Sequence, residues 1–156
     1  MDSPSSFLGN YLPYVLRQAD QTLSAPFYAV LTRYEIARSE WRVLAVLNEL
    51  GSLSVLELAN ASLSPQPTVT HAARRLEARG LIERVAGSTD KRQRFITITK
   101  TGTDLTATLI AEAKQLEASA VDQAGDLSDL IQQLKSLTKR IEQNIRNQSS
   151  EASQAG

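Results

Sequence analysis

The sequence predicts a mainly α fold with a small β-wing: a helical lobe carrying one two-stranded ribbon, framed by long N- and C-terminal helices. Three observations predict it. Apolar residues recur three and four apart through most of the 156 residues, as one buried face of a helix requires. Ser, Asp, Asn, Pro and Gly fall at the ends of those runs, where caps and stops belong. A single stretch, 81–99, switches to β-branched and apolar residues on either side of a cationic turn, the pattern of a hairpin.

Taken in chain order, Asn10 can cap a first helix in which Leu8, Tyr11, Leu12, Val15, Leu16, Ala19 and Leu23 follow the helical period, with Pro13 in its first turn, where a missing N–H breaks no bond. Ser24 ahead of Ala25-Pro26 is expected to kink or restart that helix. Ser39 is expected to cap the next, whose stripe is Trp41, Leu44, Ala45 and Leu47 and whose stop is Gly51. Ser54 and Glu57 form a capping box opening a short helix through about Ala61. Ser64 is read as the cap of a fourth, with Pro65 and Pro67 in its first turn and Val69, Ala72, Ala73 and Leu76 on one narrow buried face. Gly80 ends it, and Leu81–Ala86 and Arg94–Thr99 read as the two strands. Thr101-Gly102-Thr103-Asp104 is a further capped start, for a helix carrying Leu105, Leu109 and Leu116. Asp126 caps the last, where Leu127, Leu130, Leu134, Leu137, Ile141 and Ile145 make an almost uninterrupted stripe.

That stripe needs a partner, and the first helix is apolar too, so the termini are expected to form a homodimer surface. The expected organisation is one domain over 1–156: a helical dimerisation region at 10–38 and 103–147, a central ribbon-bearing lobe at 39–102, and a disordered polar tail at 148–156.

Composition narrows the function. With 42% hydrophobic and 22% charged residues the chain is of ordinary globular composition; without cysteine and with one histidine it offers neither thiol chemistry nor a zinc ligand set. No glycine-rich phosphate loop or evident carboxylate pair points to an enzyme, so no catalytic residue, metal or cofactor is expected. No apolar run reaches the roughly 20 residues of a membrane span, and MDSPSSFLGN lacks the marks of a signal peptide, so a cytoplasmic protein is expected. The formal net charge of zero hides an asymmetry: residues 71–94 carry seven cations against three anions, while 101–134 carry six anions against Lys114. A basic surface of this kind is what a polyanion binds.

Helix, tight turn, helix with a cationic outer face, then a ribbon with a cationic tip is the order of a winged helix-turn-helix. An α-helix fits the major groove of double-stranded DNA, and a ribbon beside it reaches the neighbouring backbone or minor groove. The outer face of the fourth helix presents Thr70, His71 and Arg74, with Thr68 and Arg75 at its edges; Arg74, central on that face, is the strongest candidate for a base or phosphate contact. Arg75 and Arg84 serve equally well as braces between helix and ribbon. Ser64 and Thr68 can donate to phosphate, although a cap already explains Ser64. Arg92 and Arg94 sit at the ribbon tip, and Asp90 among them is expected to pair with a neighbouring arginine and hold the wing's shape. The competing reading is a winged-helix protein-interaction module docking an acidic partner.

The block Leu76-Glu77-Ala78-Arg79-Gly80-Leu81-Ile82-Glu83-Arg84, the turn Asp90-Lys91-Arg92 and the segment Ile98-Thr99-Lys100-Thr101-Gly102 resemble the MarR family of bacterial regulators, whose wing reads D-x-R followed by L-T-x-x-G. Ile98 stands here in place of the usual Leu. The resemblance implies a dimeric repressor on a palindromic operator, with Ser64, Gln66, Thr68, Thr70, His71, Arg74, Arg75, Lys91, Arg92 and Arg94 toward DNA. It also implies a small phenolic or carboxylate effector, for which Tyr14, Arg17 and Trp41 are the candidate lining residues, with Arg17 as the cation.

Overall fold

The computed structural model describes residues 6–90 and 92–154. The chain divides into two compact units, residues 1–116 and 117–156.

The first unit opens with a single turn, α1 (Phe7–Asn10), followed by α2 (Leu12–Arg33). Ser6 Oγ accepts the Gly9 N–H at the start of α1, so Ser6 and not Asn10 caps the chain's first turn. Pro13 falls at the beginning of α2 as expected, but α2 runs on through Pro26, which does not restart a helix. The missing donor and the ring's clash with the preceding turn, together about 3 kcal/mol or more, are offset where the neighbouring turns are held by packing: Phe27 and Tyr28 are half-buried and Val30 and Leu31 buried.

Four further elements build the lobe: α3 (Arg38–Leu50), α4 (Val55–Ala61), α5 (Gln66–Ala78) and the hairpin of β1 (Ile82–Ala86) and β2 (Arg94–Ile98). The start of α3 is not capped by Ser39. Its N-cap residue is Ala37, whose backbone N–H is met at 2.7 Å by the carboxylate of Glu40 reaching back. The Ser54–Glu57 capping box of α4 is present in both directions, the Ser54 N–H donating to Glu57 Oε2 at 2.8 Å and the Glu57 N–H to Ser54 Oγ at 3.3 Å. Arg79 is the C-cap of α5, and Gly80 follows at φ +68, the left-handed conformation that turns the chain back so that the Leu81 N–H reaches Leu76 O. The strands pair antiparallel from Ile82 opposite Ile98 to Ala86 opposite Arg94, and Leu53 adds one bridge to Ile96, stitching the α3–α4 connection to the ribbon.

One core joins all of this: Val30, Leu31, Ile36, Val43, Leu44, Leu47, Leu58, Val69, Ala72, Ala73, Leu76, Leu81, Ile82, Ile96 and Leu109 are buried together. Val30 and Leu31 of α2 and Leu109 of α6 (Lys100–Ala124) share this core with the lobe, and the division between units falls inside α6, at 116/117. Thr99 opens α6, its hydroxyl accepting the Gly102 N–H and donating to Gly80 O.

The second unit contains the end of α6 and α7 (Ser128–Gln154). Asp126 Oδ1 accepts the Ser128 N–H at 2.9 Å and the Ser128 hydroxyl at 2.7 Å, and these two bonds hold its carboxyl below the usual carboxylate range. α7 continues through Gln154, so the 148–154 segment expected as a disordered tail is helical; Ser149 and Ser150 return their hydroxyls to the carbonyls of Ile145 and Arg146. No helix among the described residues is long and apolar enough to cross a membrane.

Candidate nucleic-acid interface

The interface is built on α5. Its inner face is Val69, Ala72, Ala73 and Leu76, each at most 1% exposed, and the two alanines at its centre let α5 lie close against α3. With that stripe committed to the core, the helical period turns Gln66, Thr68, His71 and Arg74 outward, all exposed, with Thr70 half-buried. Arg74 makes no hydrogen bond or ion pair with any described residue, so its guanidinium is available to a ligand. Pro65, not Ser64, is the N-cap residue; the half-buried Ser64 hydroxyl donates to Ser62 O at 3.0 Å. The first turn of α5, its electropositive end, therefore has no side-chain cap on its backbone N–H groups.

The remaining cations of the segment are not equivalent. Arg75 Nε donates to Glu40 Oε1 at 2.6 Å, across to α3. Arg79 donates to Glu35 O at 2.7 Å and Tyr34 O at 3.2 Å, at the end of α2. Arg84 on β1 pairs with Glu77 on α5 at 3.2 Å, the brace between helix and ribbon that the spacing allowed. Glu40 and Arg79 were not among the expected residues. A Glu three residues after a helix start is a legible capping signal, but the partner position here is Ala37, whose methyl group cannot accept the hydrogen bond that completes the pattern.

The wing is closed by backbone. The Gly87 N–H donates to Gln93 O at 2.9 Å and the Gln93 N–H to Asp90 O at 3.1 Å. The Asp90 carboxylate does brace this turn, but not through an arginine side chain: Oδ1 accepts the backbone N–H of Arg92 at 2.9 Å, two residues on. A short side chain reaches its own turn at less entropic cost than it recruits a long cation. Arg92 and Arg94 are exposed, with no ion pair to any described residue. Lys91 lies outside the described residues.

The three candidate effector residues are not brought together. Tyr14 and Arg17 are exposed on the first half of α2, whereas Trp41 is half-buried on α3 with its ring edge-on to Phe27 at 5.0 Å. Arg17 is ten residues before Phe27 in one continuous helix, about 15 Å along its axis. Trp41 instead borders an open groove of about 410 Å³ with Arg42, Ala45, Val46 and the α4–α5 turn residue Leu63.

Residues 36–93, which span α3 to the wing turn, match the MarR family model. Over this segment the chain is similar to the MarR family of transcriptional regulators. It is 33% identical over 90 residues to the HTH-type transcriptional regulator FarR of Neisseria gonorrhoeae, an alignment covering 58% of this chain and 62% of that relative. It is 27% identical over 139 residues, 86% of this chain and 94% of the relative, to the homoprotocatechuate degradative operon repressor of Escherichia coli. The crystal structure of NadR in complex with 4-hydroxyphenylacetate superimposes with a TM-score of 0.72 at 26% identity, covering 90% of this chain and 96% of that one. In this chain, α4, the turn 62–65 and α5 are the helix-turn-helix, and β1, β2 and their turn are the wing.

Proposed function

We propose that this protein is a MarR-type regulator, a homodimeric repressor that grips a palindromic DNA operator and releases it on binding a small aromatic or carboxylate effector. The observation that carries the reading is the pairing of an outward α5 face, Gln66, Thr68, Thr70, His71 and Arg74, with exposed Arg92 and Arg94 on the wing. The helix is of a size for the major groove and the wing for the backbone beside it. Exposed apolar side chains support assembly in two copies: Phe7 at 72% and Leu23 at 58% in the first unit, Leu130 at 51% and Ile145 at 57% in the second. Two-fold symmetry then calls for two half-sites about one helical turn apart. The effector half of the reading rests on the Trp41 groove and on relatives that govern aromatic degradation or bind 4-hydroxyphenylacetate.

The test enriches a 30-base-pair duplex from a random pool on the wild-type protein and compares Arg74→Ala with Arg92→Ala on enriched and unselected DNA. Arg92→Ala should weaken both and lower the salt slope by about one per lost contact, while Arg74→Ala should relax preference at one position per half-site. Equal losses on both duplexes for both variants would remove this division of labour. Loss of all binding at low salt by the wild type would favour the protein-docking alternative.

A further inference from the structure

We propose that Arg75 and Arg79, two of the cations in the basic segment, are positioning residues that clamp the recognition helix α5 onto the corner between α2 and α3, and that Glu40 is the fixed point of that clamp. The two arginines stand four residues apart, on one edge of α5. Both reach the same short stretch, 34–40. Arg79 holds the carbonyls of Tyr34 and Glu35, the C-cap of α2 and the residue after it, and Arg75 holds the Glu40 carboxylate in the first turn of α3. That corner is sharply bent, with Glu35 at φ +54. Its carbonyls belong to the end of α2, where intrahelical donors have run out and the helix dipole is negative, so a guanidinium there answers both a hydrogen-bonding and an electrostatic need.

Glu40 makes the clamp stiff. Its side chain is 1% exposed, one carboxylate oxygen takes the Ala37 N–H that starts α3, and the other takes Arg75. A buried carboxylate with both oxygens committed cannot move toward one partner without abandoning the other. The same two groups therefore begin α3 and set the rotation of α5 about its own axis. Because Arg79 adds a second point one turn further along, α5 is held against both tilt and rotation. α2 is also the helix whose N-terminal half exposes Leu12, Val15 and Leu16, so the clamp ties the presentation of α5 to the opposite end of the helix that the dimer reading employs.

This inference rests on the DNA-binding reading, and the experiment separates the two. The probes are the enriched 30-base-pair duplex and an unselected random duplex, titrated at two salt concentrations, with circular dichroism melting as a check of fold. Glu40→Gln has a single acceptor oxygen and can serve Ala37 or Arg75, not both. It should weaken binding to the enriched duplex about tenfold, although removing a negative charge would by itself favour DNA. Arg75→Met and Arg79→Met should do the same while leaving random-duplex affinity within about twofold and the salt slope unchanged, and Arg79→Lys should restore most of the loss, since an ammonium still donates to carbonyls. The double variant Glu40→Gln/Arg75→Met should be no worse than the worse single. Should Glu40→Gln fail to fold, the arginine variants, whose side chains lie at the surface, carry the test. Equal losses on both duplexes with a lower salt slope for Arg75→Met would make Arg75 a phosphate contact and overturn the clamp, as would tighter binding by Glu40→Gln. A wild-type protein that enriches no sequence would overturn the DNA-binding reading itself, and the clamp with it.

Discussion

Replacing Gly87 with Ala should disable the wing while leaving the lobe folded. Gly87 is buried at the base of the turn, and a Cβ added there would meet Asp90 O at 2.6 Å and Phe95 Cε2 at 3.1 Å. The first contact is about 0.9 Å inside the roughly 3.5 Å at which such atoms attract, and it is with backbone, which cannot rotate away. Relief requires the turn to shift, and the two bonds that close it involve the same groups: Gly87 N–H to Gln93 O at 2.9 Å and Gln93 N–H to Asp90 O at 3.1 Å. Overpacking of this kind costs about 1–3 kcal/mol, and the smaller freedom of Ala in the unfolded chain offsets about 0.4–1 kcal/mol. A net loss of about 1–2 kcal/mol in a chain of this size lowers the melting temperature by about 2–8 °C at fixed protein concentration. Arg92 and Arg94 ride on the displaced turn, so affinity should fall on enriched and random duplex alike, with a shallower salt slope. Thermal melting and fluorescence anisotropy titration read the two effects, with Ser88→Ala, an exposed neighbour in the same turn, as control. A Gly87→Ala protein that melts and binds like the wild type would refute the argument that this close approach shapes the wing.

Asp90 gives a test with opposite signs for two substitutions. Asp90→Ala removes the acceptor of the Arg92 N–H and should weaken binding about threefold, whereas Asp90→Asn keeps an acceptor oxygen, sheds a negative charge beside the cations and should bind DNA tighter; the reverse order in a parallel titration would show that the turn is braced otherwise. Glu57 gives a pH dependence. Its carboxylate is held below its ordinary value of 4.5 first by the Ser54 backbone N–H and then by the Ser54 hydroxyl. A carboxyl lowered by folding adds stability that is present above its unfolded value and is lost as pH falls through the folded one. Melting temperatures measured downward from about pH 6 should fall less steeply below about 4.5 in Glu57→Gln than in the wild type; superimposable curves would remove Glu57 from the acid response.

What the sequence alone determined is what local energetics decide. The Val69, Ala72, Ala73, Leu76 stripe, the Ser54–Glu57 box and the Gly80 stop each operate within seven residues, so α5 and the direction it faces were legible before any coordinate. The wing was legible for the same reason, an alternation interrupted by a turn; a bracing role for Arg84 could be named from its place on the ribbon, but the structure supplied its partner, Glu77. Local rules erred where two candidates stood side by side: Ser39 and Ser64 are good capping residue types, but Ala37 and Pro65 occupy the cap positions because tertiary packing places the helix starts there. Pro26 likewise reads as a break in isolation and is tolerated within α2, where half-buried Phe27 and Tyr28 lead into buried Val30 and Leu31. Only the tertiary structure decided how the cations divide. Arg74, Arg75 and Arg79 are alike in type and near in sequence, but Arg75 and Arg79 find their partners 35, 44 and 45 residues away, at the end of α2 and the start of α3. Tyr14, Arg17 and Trp41 failed to converge for the converse reason: helical spacing shows which residues share a face, whereas bringing distant faces together depends on how the chain closes its core, and that information is spread over every buried contact at once.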